Sequence, residues 1–281
     1  MCRSGFVTLV GRPNVGKSTL VNAICATKVS IVSDKPQTTR TRVRGVLNRP
    51  EAQLVIVDTP GLHKATTALG ERVNATALDS LADDVDAVCL VLDATKPFGR
   101  GDEWVAARID IAKAIVVVNK VDRAGRDAVV RQLAAAAALG ATAYFPVSAR
   151  TGAGVDALVD HLVALLPEGP AYFDTDVARE MPEEAWIAEL VREQLLAVTR
   201  DELPYSIATR VTEIEWPRVR CEILVERDSQ KGMVIGKGGR VLKEVGTRAR
   251  AQLPEGAFLE LVVKVDKDWQ HRPDRVERLG Y

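Results

Sequence analysis

Five short apolar runs in the first 150 residues constrain the fold more than any other feature of the sequence. Each run ends at a glycine or a polar residue, and the runs cover residues 6–10, 54–57, 87–92, 114–118 and 143–147. Runs this apolar are typical of strands buried on both faces of a parallel sheet. Helix-like segments lie between them at residues 18–26, 102–112, 127–138 and 155–166. The alternation predicts an α/β fold with a doubly wound, mostly parallel sheet.

One pair of apolar segments breaks this alternation. Residues 43–47 and 53–57 are joined by only five residues. Five residues are too few for a crossover helix, which parallel strands require. The pair is therefore predicted to form an antiparallel hairpin within the sheet.

The chain is expected to contain two domains, because its 281 residues amount to about twice the usual domain length of roughly 150. The alternating pattern stops at Pro167, Gly169 and Pro170, which favour a boundary. The first domain is predicted to span residues 1–167, a linker residues 168–182, and a second domain residues 183–281. The order of elements in the second domain is α-β-β-α-α-β, which indicates a smaller α+β fold.

Composition argues against several classes of protein. No apolar run approaches the roughly 18 residues that a membrane-spanning helix needs. The four cysteines are scattered without a C-x-x-C pair, which argues against a disulfide framework or a structural zinc site and fits a reducing cytosol. Basic and acidic residues are equal in number, 38 of each, so net charge does not indicate a polyanionic partner.

Residues 11–18 match the pattern G-x-x-x-x-G-K-[ST] between a predicted strand and a predicted helix. Such a loop wraps phosphates with backbone N–H groups, while Lys17 contacts the β- and γ-phosphates and Ser18 binds Mg²⁺. A chance glycine turn is the alternative, and the eight matching positions in the right context disfavour it. The residues assigned to the phosphate loop are Gly11, Arg12, Pro13, Asn14, Val15, Gly16, Lys17, Ser18 and Thr19.

Two further loops follow predicted strands and complete a nucleotide site. Asp58-Thr59-Pro60-Gly61 follows residues 54–57; its aspartate is expected to hold Mg²⁺, and its Gly61 N–H to meet the γ-phosphate. Taken alone, this pattern is an ordinary turn. Lys17, Thr39 and Gly61 are the residues to which catalysis is assigned.

The second of these loops, Asn119-Lys120-Val121-Asp122, follows residues 114–118 and predicts that the base is guanine. A carboxylate at Asp122 can accept hydrogen bonds from N1–H and the exocyclic amine of guanine, whereas adenine lacks this donor pair. Asn119 is expected to brace the neighbouring loops, and the Lys120 stem to cover the base. Ser148 and Ala149 fall where a last base-contacting loop is needed, with the Ala149 N–H directed to guanine O6. A plain strand end is the alternative for these two residues.

These spaced elements resemble those of the translation-factor-like GTPases. In that superfamily a threonine between the first two elements closes over the γ-phosphate and Mg²⁺, and GTP hydrolysis releases it. Thr39 is the preferred candidate and Thr38 the second, while a solvated loop is the alternative. Leu62, which is also assigned to the nucleotide site, stands where Ras-like GTPases carry a glutamine that orients water, so intrinsic turnover is expected to be slow. Similar GTPases recruit K⁺ through an asparagine at the position of Asn14, which suggests K⁺ stimulation.

The segment around residues 234–240 carries the functional signal of the second domain. A G-x-x-G turn between two helices lets a nucleic-acid backbone approach closely, and residues 227–250 contain seven basic residues against two acidic ones. With the α-β-β-α-α-β order, this resembles a type II KH domain, which binds about four single-stranded nucleotides. A glycine-rich helix end is the alternative. The residues assigned to RNA are Ile235, Gly236, Lys237, Gly238, Gly239, Arg240 and Lys243.

The whole chain resembles the Era family of bacterial GTPases, in which a P-loop GTPase domain precedes the KH domain. The related Der family has two GTPase modules, whereas one phosphate loop is present in this sequence. The matching stretches are residues 11–18, 32–40, 58–63, 119–122, 202–206, 229–239 and 278–281.

The resemblance implies what the protein does and where. It implies Mg²⁺-dependent GTP hydrolysis to GDP, binding near the 3′ end of 16S ribosomal RNA, and a role in assembly of the small (30S) subunit from its precursor. It also implies a monomeric cytoplasmic protein with weak peripheral membrane association. An RNA-binding scaffold with a structural nucleotide and a P-loop phosphotransferase acting on a small molecule are the alternative functions.

Overall fold

A computed structural model describes residues 2–62, 65–82, 85–199 and 203–281. His63 and Glu202, which belong to the matching stretches above, lie outside the described residues. The chain divides into two compact units. The first comprises Met1–Val32, Pro36–Ala65 and Val73–Glu180, and the second comprises Ser33–Lys35, Thr66–Arg72 and Met181–Tyr281.

The first unit is built on a seven-stranded sheet with the strand order β6-β5-β4-β1-β3-β2-β7. Strands β1, β3, β4, β5 and β6 are parallel, as the apolar runs predict. The strands are β1 Arg3–Val10, β2 Val43–Arg49, β3 Ala52–Asp58, β4 Ala87–Asp93, β5 Ile115–Asn119, β6 Ala143–Pro146 and β7 Arg179–Glu180. The helices in this part of the chain are α1 Lys17–Cys25, α2 Ala68–Ala82, α3 Arg100–Ala106, α4 Arg126–Ala137 and α5 Val155–Leu165.

The predicted hairpin is confirmed, because β2 pairs antiparallel with β3 along its whole length. The two-residue strand β7 extends the sheet beyond it and pairs antiparallel with β2. Gln53 on β3 binds the segment that precedes β7. Its amide oxygen accepts hydrogen bonds from the backbone N–H groups of Tyr172 and Phe173 at 2.7 and 3.0 Å. Much of the segment predicted as a linker therefore packs on β2 and β3; the boundary at residue 167 itself stays a prediction.

Two helices differ from the sequence prediction. Helix α2 is absent from that prediction. The helix expected over residues 102–112 is instead the seven-residue α3, followed by a separate 3₁₀ turn at Ile111–Lys113. Ile109 and Ile111 both pack against the core, although they are two residues apart. A continuous helix would direct them to different faces, so the helix ends before them.

The second unit contains a three-stranded sheet with the order β10-β9-β8. Strand β10 is parallel to β9, whereas β8 is antiparallel to it. Its elements are α6 Glu183–Val198, α7 Leu203–Ser206, β8 Ala208–Glu215, β9 Arg218–Val225, α8 Asp228–Ile235, α9 Arg240–Arg250, β10 Phe258–Val265 and α10 Pro273–Arg278. Apart from the short α7 and α10, this is the predicted order.

The hydrophobic core of the second unit holds the turn between α8 and α9 in place. Val191 on α6, Ile223 on β9 and Val245 on α9 belong to one buried cluster. Val234, beside the glycine turn, is fully buried in the same cluster. Within the described ranges, no helix has both the length and the apolar character required to cross a membrane.

Candidate functional site

The phosphate loop takes its shape from glycines that a larger residue could not replace. Gly16 has the left-handed φ of 98° and immediately precedes α1. A Cβ atom at Gly16 would lie 2.4 Å from Nδ2 of Asn119, and one at Gly11 would lie 2.6 Å from the carbonyl oxygen of Val91. The absence of side chains therefore lets the loop lie directly against β4 and the end of β5, with the first N–H groups of α1 beside it.

Lys17 lies inside this loop and is almost completely buried. Its Nζ donates hydrogen bonds to the carbonyl oxygens of Gly11 and Arg12 at 3.1 and 3.2 Å. Burial lowers the pKa of Lys17 to about 8, and the nearby carboxylate of Asp58 opposes this shift. The loop thus holds a partly desolvated ammonium group beside backbone donors, which is the arrangement expected of a phosphate site.

Ser18, Thr39 and Asp58 come together from three parts of the chain. Their contacts are 2.8 Å between Ser18 Oγ and Thr39 Oγ1, and 3.3 Å between Thr39 Oγ1 and Asp58 Oδ2. Burial raises the pKa of Asp58, while Lys17 and the hydroxyl groups of Ser18 and Thr39 oppose the shift. Of the two candidate threonines, Thr39 supplies the hydroxyl group of this cluster.

The unused oxygen of Asp58 fits a magnesium ion at this cluster. Asp58 Oδ1 is buried and accepts no hydrogen bond within the described part of the chain. Mg²⁺ prefers hard oxygen ligands and commonly takes one or two from protein, with the rest from water and phosphates. Ser18, Thr39 and Asp58 offer such oxygens together, so these three residues could hold the ion; the ligand set itself stays a prediction.

The residues after Asp58 lie close to the phosphate loop. Thr59 Oγ1 donates a 2.6 Å hydrogen bond to the carbonyl oxygen of Leu9 on β1. A Cβ atom at Gly61 would lie 2.7 Å from Cα of Pro13, so the backbone there contacts the phosphate loop. Leu62 is buried in the apolar core with Val10 and Leu90. Its side chain therefore has a packing role and cannot orient a water molecule.

Asn119 connects three loops at the carboxyl edge of the sheet. Its Nδ2 donates to the carbonyl oxygen of Val15 at 3.0 Å, and its Oδ1 accepts from the N–H groups of Lys120 and Ala149 at 2.8 and 3.0 Å. This is the bracing role that the sequence predicts. The Ala149 N–H, which is expected to meet guanine O6, is used here by Asn119; contact with the base would require this hydrogen bond to be shared or exchanged.

Asp122 is held in place by two neighbouring side chains, which also favour its ionised form. Ser148 Oγ donates to one carboxylate oxygen at 2.7 Å, and Nε of Arg150 lies 3.1 Å from the other. The Ser148 hydrogen bond lowers the pKa of Asp122, with the charge of Arg150 adding to the effect and partial desolvation opposing it. The carboxylate is thus an ionised acceptor near neutral pH.

Lys120 is positioned by Asp93, which the sequence analysis did not identify. Nζ of Lys120 lies 2.7 Å from Oδ2 of Asp93 and also donates to the carbonyl oxygen of Asn14. Burial of Asp93 is outweighed by the hydrogen bonds from Lys120 and Thr95, so the pKa of Asp93 is lowered. Asp93 ends β4 at the carboxyl edge of the sheet, a position that points to the site.

Arg12 makes another contact that the sequence did not predict. Its Nε lies 2.8 Å from Oδ1 of Asp102, a buried residue in the first turn of α3. Burial raises the pKa of Asp102, and the charge of Arg12 opposes this shift. The pair ties the phosphate loop to α3. No motif spacing could have shown it, because the contact depends on where α3 begins.

The glycine turn of the second unit connects α8 to α9. Gly236, Gly238 and Gly239 have positive φ angles of 73°, 62° and 77°. A Cβ atom at Gly236 would lie 2.5 Å from Cγ2 of Val241, whereas no atom lies within 4 Å of one at Gly238 or Gly239. The turn therefore exposes backbone on one side, next to the exposed side chains of Lys237 and Arg240.

A groove of about 430 Å³ begins at this turn and runs between α9 and β10. Leu259 and Leu261 of β10 give it an apolar side, while Lys243 and Arg250 bring positive charge. Ile235 packs partly against the core instead of lining this groove. The residues of the groove that the sequence analysis did not identify are Leu242, Gly246, Thr247, Arg250, Leu259 and Leu261.

Comparisons with known proteins match both parts of the chain. A family model described as 50S ribosome-binding GTPase matches residues 6–120, and a KH domain model matches residues 202–270. GTPase Era of Mycobacterium avium is 46% identical to this chain, over 99% of each protein. The chain belongs to the Era family of GTPases. Era of Mycobacterium tuberculosis H37Rv is 45% identical, over 99% of this chain and 98% of its own.

Two solved Era structures match the whole chain. Era in complex with MgGDPNP and nucleotides 1506–1542 of 16S ribosomal RNA is 38% identical, with a TM-score of 0.95 over 100% of this chain and 99% of that one. A variant of Aquifex aeolicus Era bound to GDP·AlF₄⁻ is 38% identical, with a TM-score of 0.94 over 99% of each chain. The predicted family, GTPase activity and two-part fold are therefore confirmed.

Proposed function

We propose that this Era-family GTPase is a nucleotide-dependent switch whose KH domain binds single-stranded RNA at the 3′ end of 16S ribosomal RNA. Its partners would be the precursor of the 30S subunit and guanine nucleotides. The cluster of Ser18, Thr39 and Asp58 carries the proposal, because it joins the phosphate loop to the segment expected to respond to GTP. Relatives solved with MgGDPNP and this RNA, and with GDP·AlF₄⁻, support it.

In the proposed site, Ser18, Thr39 and Asp58 hold Mg²⁺, which neutralises charge on the β- and γ-phosphates. Lys17 binds the same phosphates, and the Gly61 N–H meets the transferred group. Asp122 selects guanine, with Asn119 bracing the loops. The other assigned residues of the nucleotide loops, including Thr19, Pro60 and Val121, surround the nucleotide.

Hydrolysis is proposed to be slow without help, because Leu62 is buried and offers no polar group to the attacking water. K⁺ bound near Asn14 would then add positive charge at the phosphates. Asn14 has a left-handed φ of 64°, and its carbonyl oxygen accepts from Lys120, so this residue is held in a defined position. Turnover should be higher in K⁺ than in Na⁺ at equal ionic strength, and equal turnover would contradict this part.

In the KH domain, the proposed RNA contacts are the glycine turn and the groove beside it. Backbone N–H groups at Gly238 and Gly239 and the side chains of Lys237, Arg240 and Lys243 would bind phosphates. Leu259 and Leu261 would contact bases, since the groove offers apolar side chains and no aromatic ring.

The proposal also covers where in the cell the protein acts. The protein would act as a monomer in the cytoplasm, with weak peripheral association at the cytoplasmic face of the membrane. Sedimentation with and without anionic vesicles tests this. A stable dimer, or tight binding to vesicles at physiological salt, would contradict it.

The proposed function is tested by measuring the two activities separately. Multiple-turnover GTP hydrolysis should be lost in Lys17→Ala, whereas binding of a single-stranded RNA with the 16S 3′-terminal sequence should persist with its salt dependence unchanged. Lys243→Ala should retain GTP hydrolysis and weaken RNA binding by about three- to tenfold at low salt. Lys267→Ala removes an exposed lysine outside the groove and serves as the control. Hydrolysis that survives in Lys17→Ala would contradict the proposal, as would RNA binding equal in Lys243→Ala and the control.

A further inference from the structure

A second cavity lies in the first unit, between the segment after β4 and helix α4. Its volume is about 300 Å³. Lys96 and Arg131 bring positive charge to it, Phe98 contributes a ring, and none of the described residues that line it is acidic. Ligand pockets start at about 300 Å³, whereas one water occupies about 30 Å³. The cavity therefore has the size of a small ligand and a preference for negative charge.

Gln132 on α4 lines the cavity and is 3% exposed. Within the described residues its side-chain amide makes no hydrogen bond to protein, and the amide atoms are not fully enclosed, so they are available to the cavity. An amide that makes no hydrogen bond to protein is satisfied by water or by a ligand. The carboxamide offers a donor beside an acceptor, the pair that matches the edge of a base such as adenine.

The cavity is connected to the guanine-recognition loop by short hydrogen bonds. Thr95, which lines the cavity, donates from its backbone N–H and its hydroxyl to Oδ1 of Asp93 at 2.9 and 2.6 Å. The other oxygen of Asp93 lies 2.7 Å from Nζ of Lys120. The N–H of Ala94, also in the lining, donates to the carbonyl oxygen of Asn119 at 2.8 Å. A ligand that moves this segment would therefore move two residues of the guanine site.

We propose that this cavity binds a small aromatic phosphate. Lys96 and Arg131 would hold the phosphate, the ring would lie against Phe98, and the Gln132 amide would pair with a polar edge of the ring. Occupancy would change the affinity for guanine nucleotide through Thr95 and Asp93, and by linkage the guanine nucleotide would change the affinity of the cavity.

The test uses the full chain saturated with GDP, so that the guanine site is filled. Adenosine 5′-monophosphate and phenyl phosphate are titrated by calorimetry and ligand-observed NMR, with adenosine and inorganic phosphate as incomplete probes. At least one of the two aromatic phosphates should bind with a Kd below about 1 mM and resist displacement by excess GDP. The incomplete probes should bind at least about tenfold more weakly, because each lacks one half of the recognised chemistry.

Two variants and one control decide whether the cavity is the site. Arg131→Ala and Gln132→Leu should each weaken binding at least about fivefold, whereas Arg126→Ala on the same helix, outside the cavity, should not. Gln132→Leu should keep the Tm, because the amide makes no hydrogen bond to protein within the described residues; a lower Tm would indicate a structural role instead.

Three results would overturn the proposal. They are no saturable binding by either aromatic phosphate, binding that GDP displaces, and binding that Arg131→Ala leaves unchanged. A GDP affinity that changes less than about twofold when the cavity is saturated would overturn the coupling to the guanine site.

Discussion

Lys17 is buried in the phosphate loop at a cost to stability. Burial lowers its pKa to about 8 from 10.5, with Asp58 opposing the shift. Between these pH values the unfolded chain binds a proton that the folded chain does not, so the free energy of unfolding contributed by this group rises with pH. Below pH 8 the folded state bears the full penalty, on the order of 3 kcal/mol at about 1.4 kcal/mol per pKa unit.

Lys17→Met, which keeps the side-chain volume, should remove this pH dependence. Without nucleotide, the wild-type free energy of unfolding should rise relative to the variant by up to about 3 kcal/mol between pH 8 and 10.5. Urea denaturation across this range measures the difference. Lys113→Met, at an exposed position, is the control. If the free energy of unfolding has the same pH dependence in the wild type and in Lys17→Met, burial does not destabilise the ammonium group of Lys17.

Asp122 should determine which base is bound. In Asp122→Asn the amide NH₂ would face the exocyclic amine of guanine, two donors with no acceptor, while the carbonyl at the same position of xanthine could accept from it. We expect GDP affinity to fall by about 10²-fold or more and xanthosine diphosphate to be preferred. Calorimetry with both nucleotides measures this, with Asp127→Asn as the control. Retained GDP preference in Asp122→Asn would place base recognition elsewhere.

The sequence could identify the loops that the structure brings together at the carboxyl edge of the sheet, because their spacing in the chain follows from strand and loop lengths. It did not identify Asp93 at the end of β4, Asp102 on α3 or Arg150, whose roles arise from contacts between separate elements. Nor could it show that the Ala149 N–H is shared with Asn119. These residues have no local motif, and the geometry of the sheet edge alone brings them to the site.

At the scale of elements, the buried strands were predictable because an apolar run of four to six residues fits few structures other than a parallel strand. Helix α2 was not predicted. Its sequence mixes Gly70, Asn74 and Thr76 with apolar residues, so helix propensity is weak and tertiary packing determines the structure. The early end of α3 could not be predicted either, since it depends on where Ile109 and Ile111 meet the core.

The glycine turn between α8 and α9 should be essential for RNA binding without being essential for folding. Gly238 has a φ of 62° and open space around it, so Gly238→Asp should cost only about 1 kcal/mol of stability. The added carboxylate would repel RNA phosphates, and affinity should fall at least about tenfold. Gly140→Asp is the matched control, with a φ of 73° and equally open surroundings in the first unit. Fluorescence anisotropy and thermal denaturation report the two effects; equal RNA affinities in the two variants would exclude the turn as a contact.

At the scale of the whole molecule, a net charge of zero hides an uneven distribution. Residues 227–250 are strongly basic, while the chain as a whole has as many acidic as basic residues. Such a stripe can bind RNA phosphates without attracting nucleic acid over the entire surface. Because the stripe belongs to one unit and the GTPase site to the other, the proposed switch requires each ligand to alter the affinity of the other.

The decisive measurement is the affinity of the full chain for a short single-stranded RNA of the 16S 3′ end, measured at one salt concentration with GDP and with GDPNP. We predict that RNA binds at least about fivefold more tightly with GDPNP than with GDP, which corresponds to a coupling free energy of about 1 kcal/mol. In Thr39→Ala the ratio of the two RNA affinities should be smaller. Equal RNA affinities in the two nucleotide states would contradict the switch, even if both ligands bind.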